Sequence, residues 1–482
     1  MEKIIGRAGE LRLLKEYFSS GRSEFVAVYG RRRVGKTFLI RAAAKDAFAF
    51  YMTGSSESSL ERQLLNFALA MQKYSKSEEL QIAKSWIQAF NSLGRYLEAL
   101  PAGPKVVFID EMPWLDTPRS GFIPALENFW NSWASLRDDV KLVVCGSATS
   151  WMLNNLIHSR GGLHNRLTHY MLLEPFSLHE CEEYFRCHGF GYSRMEIAEC
   201  YMILGGIPFY LSVMKKGLGL AQNIDKLFFS STAELKDEFM NLYKAIFKKA
   251  SSHIAVVTAL SRKRIGMTRQ ELLHATRLVD NGSFSTVLEE LSQCGFIRQY
   301  EPYCEKARAS RSKADKNSLY QLIDFYTLFY FNFIESNIYN DEHFWSTSVN
   351  SPLHNAWSGL AFEMLCLHHI RQIKQALGIA GVQTRVCSWR TSSDASNGAQ
   401  IDMLIDRKDE TINICEIKHT KGKYAIGKRY RQELQDKLNA FQEETGTRKS
   451  LLLTLITANG LKTNEYSDFP QCTIELEQLF QP

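Results

Sequence analysis

Residues Gly30-Arg31-Arg32-Arg33-Val34-Gly35-Lys36-Thr37 fit the pattern G-x-x-x-x-G-K-S/T. That spacing suits the cradling of a polyphosphate. Glycines let backbone N–H groups close on phosphate oxygens, a lysine reaches the β and γ oxygens, and a hydroxyl binds Mg2+. Lys36 is the cation here and Thr37 the hydroxyl. A second pattern follows about 70 residues on, where Lys105-Val-Val-Phe-Ile runs into Asp110-Glu111. An apolar strand carries Asp110 to a sheet edge, where it can hold the Mg2+ water shell. Glu111 would orient and deprotonate the attacking water. ATP and Mg2+ are therefore the expected cofactors.

Lys141-Leu-Val-Val-Cys-Gly-Ser147 is a third apolar run with a small polar residue at its end. In additional-strand ATPases the strand after the Asp-Glu pair carries a polar sensor near the γ-phosphate. Ser147 is the candidate and Thr149 the alternative. Arg160 and Arg166 follow in a Gly-containing segment. An arginine there can stabilise transition-state charge, in cis or from a neighbouring subunit. A solvated loop is the competing reading.

The C-terminal third holds another constellation. Ile401 to Ile405 is a short apolar run with Asp402 near its start, and Thr411 to Lys418 is a second run after a charged link that reads as a hairpin turn. Glu416 and Lys418 are two apart, so on a strand they share a face. Two carboxylates can hold Mg2+ through oxygen, and the lysine can orient or deprotonate a water while the metal polarises a phosphate. This is the D…E-x-K pattern of the PD-(D/E)XK phosphodiesterases, which it resembles. Trp357 to Glu363 precedes it as an amphipathic helix. The superfamily often completes its metal site with a helix glutamate, and Glu363 matches that position. Lys421, Lys423, Lys428, Arg429, Arg431 and Lys437, interspersed with Tyr424 and Tyr430, follow the pattern. They suit a nucleic-acid groove or a solvated helix face.

The elements that must position these groups are legible in outline. Phe25 to Tyr29 reads as a buried strand before the glycine loop, and Phe38 to Ala44 as the helix after it. Ile254–Leu260, Thr268–Ala275 and Phe284–Leu291 read as three helices. Thr268 is an N-cap with Glu271 three positions later. Gly295–Tyr300 and Ser318–Asp324 then read as a hairpin, which completes a winged helix. Its tip would hold Lys306, Arg308, Arg311, Lys313 and Lys316. A basic wing suits phosphate contact, whereas Glu289 and Glu290 on the third helix would repel it. DNA contact and internal packing both stay open. The aromatic run from Phe325 to Ile334 lacks alternating basic residues and reads as core.

Length and composition bound the rest. The 482 residues suffice for about three domains, and 45% hydrophobic with 23% charged is ordinary globular usage. No apolar run approaches the roughly 18–20 residues of a membrane span, and the start lacks a signal-peptide core. A cytoplasmic location is the expectation. The ten cysteines are scattered without a C-x-x-C pair, and Cys181 and Cys187 near His179 and His188 fit no common zinc spacing. Reduced, mostly buried thiols are expected. A net charge of +6 permits a nucleic-acid partner without arguing for one.

Ile5-Gly6-Arg7 with Glu10, the glycine loop, the Ile-Asp-Glu end of the second strand, and Leu204-Gly-Gly-Ile-Pro-Phe-Tyr-Leu211 together resemble the archaeal-type ATPases, P-loop proteins related to the STAND branch of the AAA+ class. The resemblance covers about residues 1–240. It implies a helical lid in which Gly206-Ile207-Pro208 lies near the nucleotide base. A helix C-cap followed by a breaker explains the same residues. The C-terminal region resembles the DUF234 domain that accompanies these ATPases and has a restriction-endonuclease-like fold. The implied architecture is α/β and multidomain. It comprises a P-loop ATPase core over 1–175, a helical lid over 176–240, a winged helix over 241–325, a helical linker over 326–345 and a nuclease-like domain over 346–482. Three functions compete: an ATP-driven nuclease acting on DNA, a signalling or scaffold ATPase whose C-terminal domain binds nucleic acid or protein without cutting, and a remodeller of a protein partner. A homo-oligomer is compatible with all three.

Overall fold

The computed structural model describes residues 4–159, 161–247, 249–263, 266–300, 303, 318–391 and 400–482, without the side chains of Arg390 and Asp402. Arg160 and residues 305–317, the expected basic hairpin tip, lie outside the described residues. The chain divides into two compact units. The first comprises Met1–Pro175 with Asn241–Ala250, and the second Phe176–Met240 with Ser251–Pro482. The expected lid, helix–hairpin segment and C-terminal sheet thus fall in one unit, and 241–250 goes with the first.

The first unit is built on five parallel strands: β1 (Glu24–Tyr29), β2 (Phe50–Thr53), β3 (Lys105–Asp110), β4 (Val140–Gly146) and β5 (His169–Leu172). Their order is β2-β3-β4-β1-β5. β1, β3 and β4 are buried along their whole length. That is why they read as continuous apolar runs rather than alternating ones. The order has a chemical consequence. β4 lies between the strand that feeds the glycine loop and the strand that ends in Asp110. The residue leaving β4 therefore emerges between the two motifs. Aromatic packing around Phe50, Phe67, Trp86, Phe90, Phe122 and Phe129 fills one core of this unit, with the Trp86 and Phe122 rings 5.0 Å apart and edge to face.

The second unit begins with two capped helices. Ser177 with Glu180 and Ser193 with Glu196 form capping boxes on Leu178–Cys187 and Arg194–Leu204. The second helix ends at Gly205, and Gly206 has φ +65. A Cβ on Gly206 would lie 2.4 Å from the Phe176 carbonyl oxygen, so only glycine fits this turn. Helices Ala250–Ser261, Arg269–Thr276 and Gly282–Gln293 follow. Then come β7 (Ile297–Tyr300) and β8 (Leu319–Leu322), antiparallel, with the short β6 (Met267–Thr268) on the other side of β8. Phe325 to Phe329 and Phe333 of the aromatic run are buried, and Tyr330, Phe331, Asn332 and Ile334 are half-buried. Phe329 meets Trp345 and Trp357, and Phe239 stacks on Tyr330.

A second five-stranded sheet closes the chain: β9 (Thr384–Arg390), β10 (Gln400–Arg407), β11 (Thr411–Lys418), β12 (Ser450–Thr457) and β13 (Cys472–Glu475), in the order β13-β12-β11-β10-β9. β9, β10 and β11 form an antiparallel meander, whereas β12 and β13 run parallel to β11. Helix Lys428–Thr445 makes the crossover from β11 to β12. Its Leu434 and Phe441 share a cluster with Ile412 and Ile414. Glu416 and Lys418 continue that same strand face.

Candidate functional sites

The first site lies where β1, β3 and β4 end, at the carboxyl edge where open parallel sheets bind ligands. Gly30 has φ +142, and a Cβ there would sit 2.3 Å from the Leu173 carbonyl oxygen. The loop therefore starts on a residue that must be glycine. Arg31, Arg32, Arg33 and Val34 carry it round to Gly35, and Lys36 and Thr37 open the helix Lys36–Ala44. This is the strand–loop–helix context that the motif requires. Lys36 is buried, and its ammonium donates to the carbonyls of Gly30 at 3.0 Å and Arg31 at 2.8 Å and to Ser147 Oγ at 3.1 Å. Burial lowers its pKa against the opposing pull of Glu111, Cys145 and Asp110.

Asp110 joins the two motifs. Its Oδ2 accepts from the Thr37 hydroxyl at 2.9 Å. Its Oδ1 accepts from the Glu111 backbone N–H at 2.9 Å and from the Cys145 thiol at 2.6 Å. Burial raises its pKa, and the neighbouring Glu111 adds to the rise. The paired hydroxyl and carboxylate are hard oxygen donors of the kind Mg2+ takes. Glu111 has φ 47 and ψ 45, a left-handed conformation uncommon for a non-glycine residue. Its carboxylate accepts twice from Ser147, from the hydroxyl at 2.5 Å and from the backbone N–H at 3.1 Å.

Of the two sensor candidates, Ser147 contacts both Lys36 and Glu111. Thr149 is buried, and its backbone N–H donates to the Ser147 carbonyl. Arg166 is exposed in a turn, its N–H bonded to Leu163. Pro208 starts the helix Pro208–Ser212 in the second unit. Sequence reasoning missed Cys145. It lies on β4, two residues before Ser147, which follows the end of that strand at Gly146. No local pattern shows which strand lies beside a fully buried run. Arg7 was also overlooked as a contact: it donates to the Glu174 carbonyl and lies 3.5 Å from Glu10.

The second constellation is different. Glu416 Oε1 accepts from Lys418 at 2.8 Å and from the Tyr430 hydroxyl at 2.8 Å, and Oε2 accepts from Lys437 at 2.7 Å. Its side chain is 13% exposed, against 32% for Lys418 and 22% for Lys437. Burial would raise the Glu416 pKa, but Lys437 and Lys418 outweigh it and hold it below the usual range. Lys418 is raised, burial notwithstanding, because Glu416 faces it. Glu363 lies on the helix Pro352–His368 and acts electrostatically on Lys418.

Asp402 belongs to β10, whose pairing with β9 shifts register between Ile401 and Leu404. Its side chain lies outside those described. The basic, tyrosine-interspersed pattern suits a groove or solvated face, yet Lys437 and Tyr430 turn inward to Glu416. The i, i+7 spacing that puts them on the Leu434 face is the signal that could have shown this. Lys421, Lys423, Lys428 and Arg429 are exposed, and Arg431 lies over the Phe469 ring. Among the described residues, no three His, Cys, Asp or Glu side chains gather into a metal-binding group. Seven of the described cysteines are buried. No described helix is long and apolar enough to cross a membrane.

Residues 5–214 match the family model described as an ATPase domain predominantly from Archaea. The uncharacterized protein MJECL04 of Methanocaldococcus jannaschii is 21% identical over 422 residues, covering 86% of this chain and 87% of that one. Among solved structures, the Walker-type ATPase PABY2304 of Pyrococcus abyssi is 18% identical with a TM-score of 0.47, over 68% of this chain and 95% of the other. The Aeropyrum pernix ORC2 protein, in ADPNP–ADP complexes, is 13% identical with a TM-score of 0.37, over 67% and 90%. Over residues 5–214 the chain is thus similar to the archaeal-type ATPase domain.

Proposed function

We propose that this domain hydrolyses ATP with Mg2+ held by Thr37 and Asp110, with Glu111 as the base and Ser147 as the polar sensor. One observation carries the reading. The Thr37–Asp110 hydrogen bond brings the hydroxyl of the glycine loop and the acid of β3 into contact, although they lie far apart in sequence. Bound Mg2+ would supply charge neutralisation at the phosphates. The chain's own part is to cradle the phosphates along 30–37, to counter their charge with Lys36 and to take a proton from water at Glu111. Calorimetry and phosphate release test this. Lys36→Ala should lose binding, whereas Glu111→Gln should bind and retain nucleotide. Unchanged turnover in Glu111→Gln would reject the base.

For the C-terminal sheet, the direct pairing of Glu416 with two lysines supports a domain that binds nucleic acid or protein without cutting. Exposed Lys421, Lys423, Lys428 and Arg429 suit an anionic partner, DNA foremost. The nuclease reading keeps one observation in its favour. Met403 pairs with Cys415, so Asp402 and Glu416 stand at adjoining places on neighbouring strands. On that reading Asp402, Glu416 and Glu363 would hold Mg2+ and Lys418 would serve the attacking water. A Mg2+-dependent cleavage assay on several DNA and RNA forms, with and without ATP, separates the two. Loss of cleavage in Asp402→Ala and Glu416→Ala would establish the nuclease, and no cleavage of any form would leave the binding domain. The helices and hairpin of 250–322 support a winged-helix module. A cytoplasmic location, a Pro208 contact to the nucleotide base and an assembly that draws on Arg166 complete the proposal. Specific activity that stays flat with protein concentration would remove the last of these.

A further inference from the structure

We infer that Arg194 clasps the turn Leu476–Phe480 to the two capped helices of the second unit, and that nucleotide held at Pro208 acts through this clasp on β13, the edge of the C-terminal sheet. The inference rests on the Pro208 reading above and adds its regulatory consequence. One guanidinium joins three elements. Arg194 opens the helix Arg194–Leu204. Its Nε and Nη2 donate to the two carboxylate oxygens of Glu182, at 2.7 and 3.1 Å, on the preceding helix Leu178–Cys187. Its Nη1 donates to Glu477 Oε2 at 2.5 Å, and its plane lies 4.9 Å from the centre of the Phe480 ring. Only a planar fork can meet two carboxylates and a ring at once. Two further bonds hold the same turn. His179 Nδ1 faces the Phe480 carbonyl at 3.2 Å, so that nitrogen carries the proton, and Gln372 Nε2 donates to the Gln481 carbonyl at 3.3 Å. Leu476, Leu479 and Phe480 are buried.

The clasp sits at one end of a rod and the Pro208 turn at the other. Arg194 is the first residue of its helix, and Gly205-Gly206-Ile207-Pro208 follows the last. The 11 residues between span about 16 Å. Both ends are fixed. The Ser193–Glu196 capping box holds the first turn, and the Gly206 carbonyl accepts from the Phe176 N–H at 2.8 Å. Beyond the clasp no linker intervenes, because Glu475 ends β13 and Leu476 starts the turn. β13 is an edge strand, paired with β12 on one side. A small rotation of the helix about the Pro208 turn therefore reaches β13 through rigid contacts. Arg194 and Glu477 are 39% and 60% exposed, so their ion pair adds little stability. What it fixes is the position of the turn against the helices.

Hydrogen exchange on the full chain tests this, without nucleotide and with a saturating non-hydrolysable ATP analogue. In the wild type the analogue should change exchange at 203–212 and, by about fivefold or more, at 472–481. In Arg194→Ala the change at 203–212 should remain, while that at 472–481 falls below about twofold. Arg194→Lys keeps the charge but not the fork, and should behave like Arg194→Ala. Both melting temperatures should stay within about 2 °C of wild type, as for exposed pairs. A residue that merely stabilised the fold would move the melting temperature and leave the nucleotide response of 472–481 in place. That outcome, or a wild-type response confined to 203–212, would overturn the inference. Failure of the Pro208 reading would look different: wild-type exchange at 203–212 would ignore the analogue, and the clasp would lose its input. If neither Arg194 variant folds, Glu477→Ala decides by the same readout.

Discussion

Lys36 and Glu111 in the first unit, and Lys418 and Glu416 in the second, are both partly buried pairs of opposite charge, but they are joined differently. Between Lys36 and Glu111 stands the Ser147 hydroxyl. Glu416 instead touches Lys418 and Lys437 directly, with Tyr430 on one oxygen. A neutral group between two charges leaves each end open to exchange with an incoming anion or water. A direct pair satisfies itself, and separating it leaves a charge in a poorly hydrated place. The right residue types at the right spacing therefore do not make a site equally ready for chemistry. What stands between them decides.

The largest expected effect would break the comparison if it failed. Glu111→Gln should cut phosphate release by a factor of about 10²–10⁴, the range of a lost general base, while the melting temperature of the C-terminal sheet stays put. The converse variant, Glu416→Ala, should leave ATP turnover unchanged. Two lysines would lose their shared counter-charge, at a cost of about 2–3 kcal/mol in urea unfolding. This lies somewhat below the value for fully buried pairs because both ammoniums keep some water. A loss under about 0.5 kcal/mol would show that the pairing is incidental.

Acid should sharpen the contrast. His369 is buried, its Nδ1–H donates to the Leu365 carbonyl, and its Nε2 accepts from the Leu178 N–H. Burial lowers its pKa to about 4, with the bond to Leu365 opposing. Between that value and the unfolded value near 6.5, the unfolded chain binds more protons than the folded one, so stability falls as pH drops. At pH 5 the loss is about 2 kcal/mol. It should appear in the unfolding transition of the second unit and shrink in His369→Gln, as denaturation at pH 5 and pH 7.5 would show. The smallest effect lies on the same helix as Lys437. Arg429 and Glu433 form an exposed i, i+4 pair at 2.9 Å, and Arg429→Ala should cost only about 0.3 kcal/mol. A larger cost would mean that exposure does not separate this pair from Lys437–Glu416.

What the amino-acid order determined by itself was whatever depends on neighbours along the chain. The glycine loop works through consecutive backbone N–H groups, so Gly30 to Thr37 could be read without a fold. The Asp110–Glu111 strand end was legible because a fully buried strand shows as an apolar run. The E-x-K face was legible because side chains alternate on any strand. Which strand lies beside which is not written locally. It follows from how helices and sheets bury their apolar faces over long separations, and only the tertiary structure inserted β4 between β1 and β3. That insertion brought Cys145 to Asp110 and Ser147 between Lys36 and Glu111. The crossover helix likewise swung Tyr430 and Lys437 onto Glu416. The residues competent for chemistry were visible in the sequence. Their partners, and so whether each is held ready or held shut, were decided by packing.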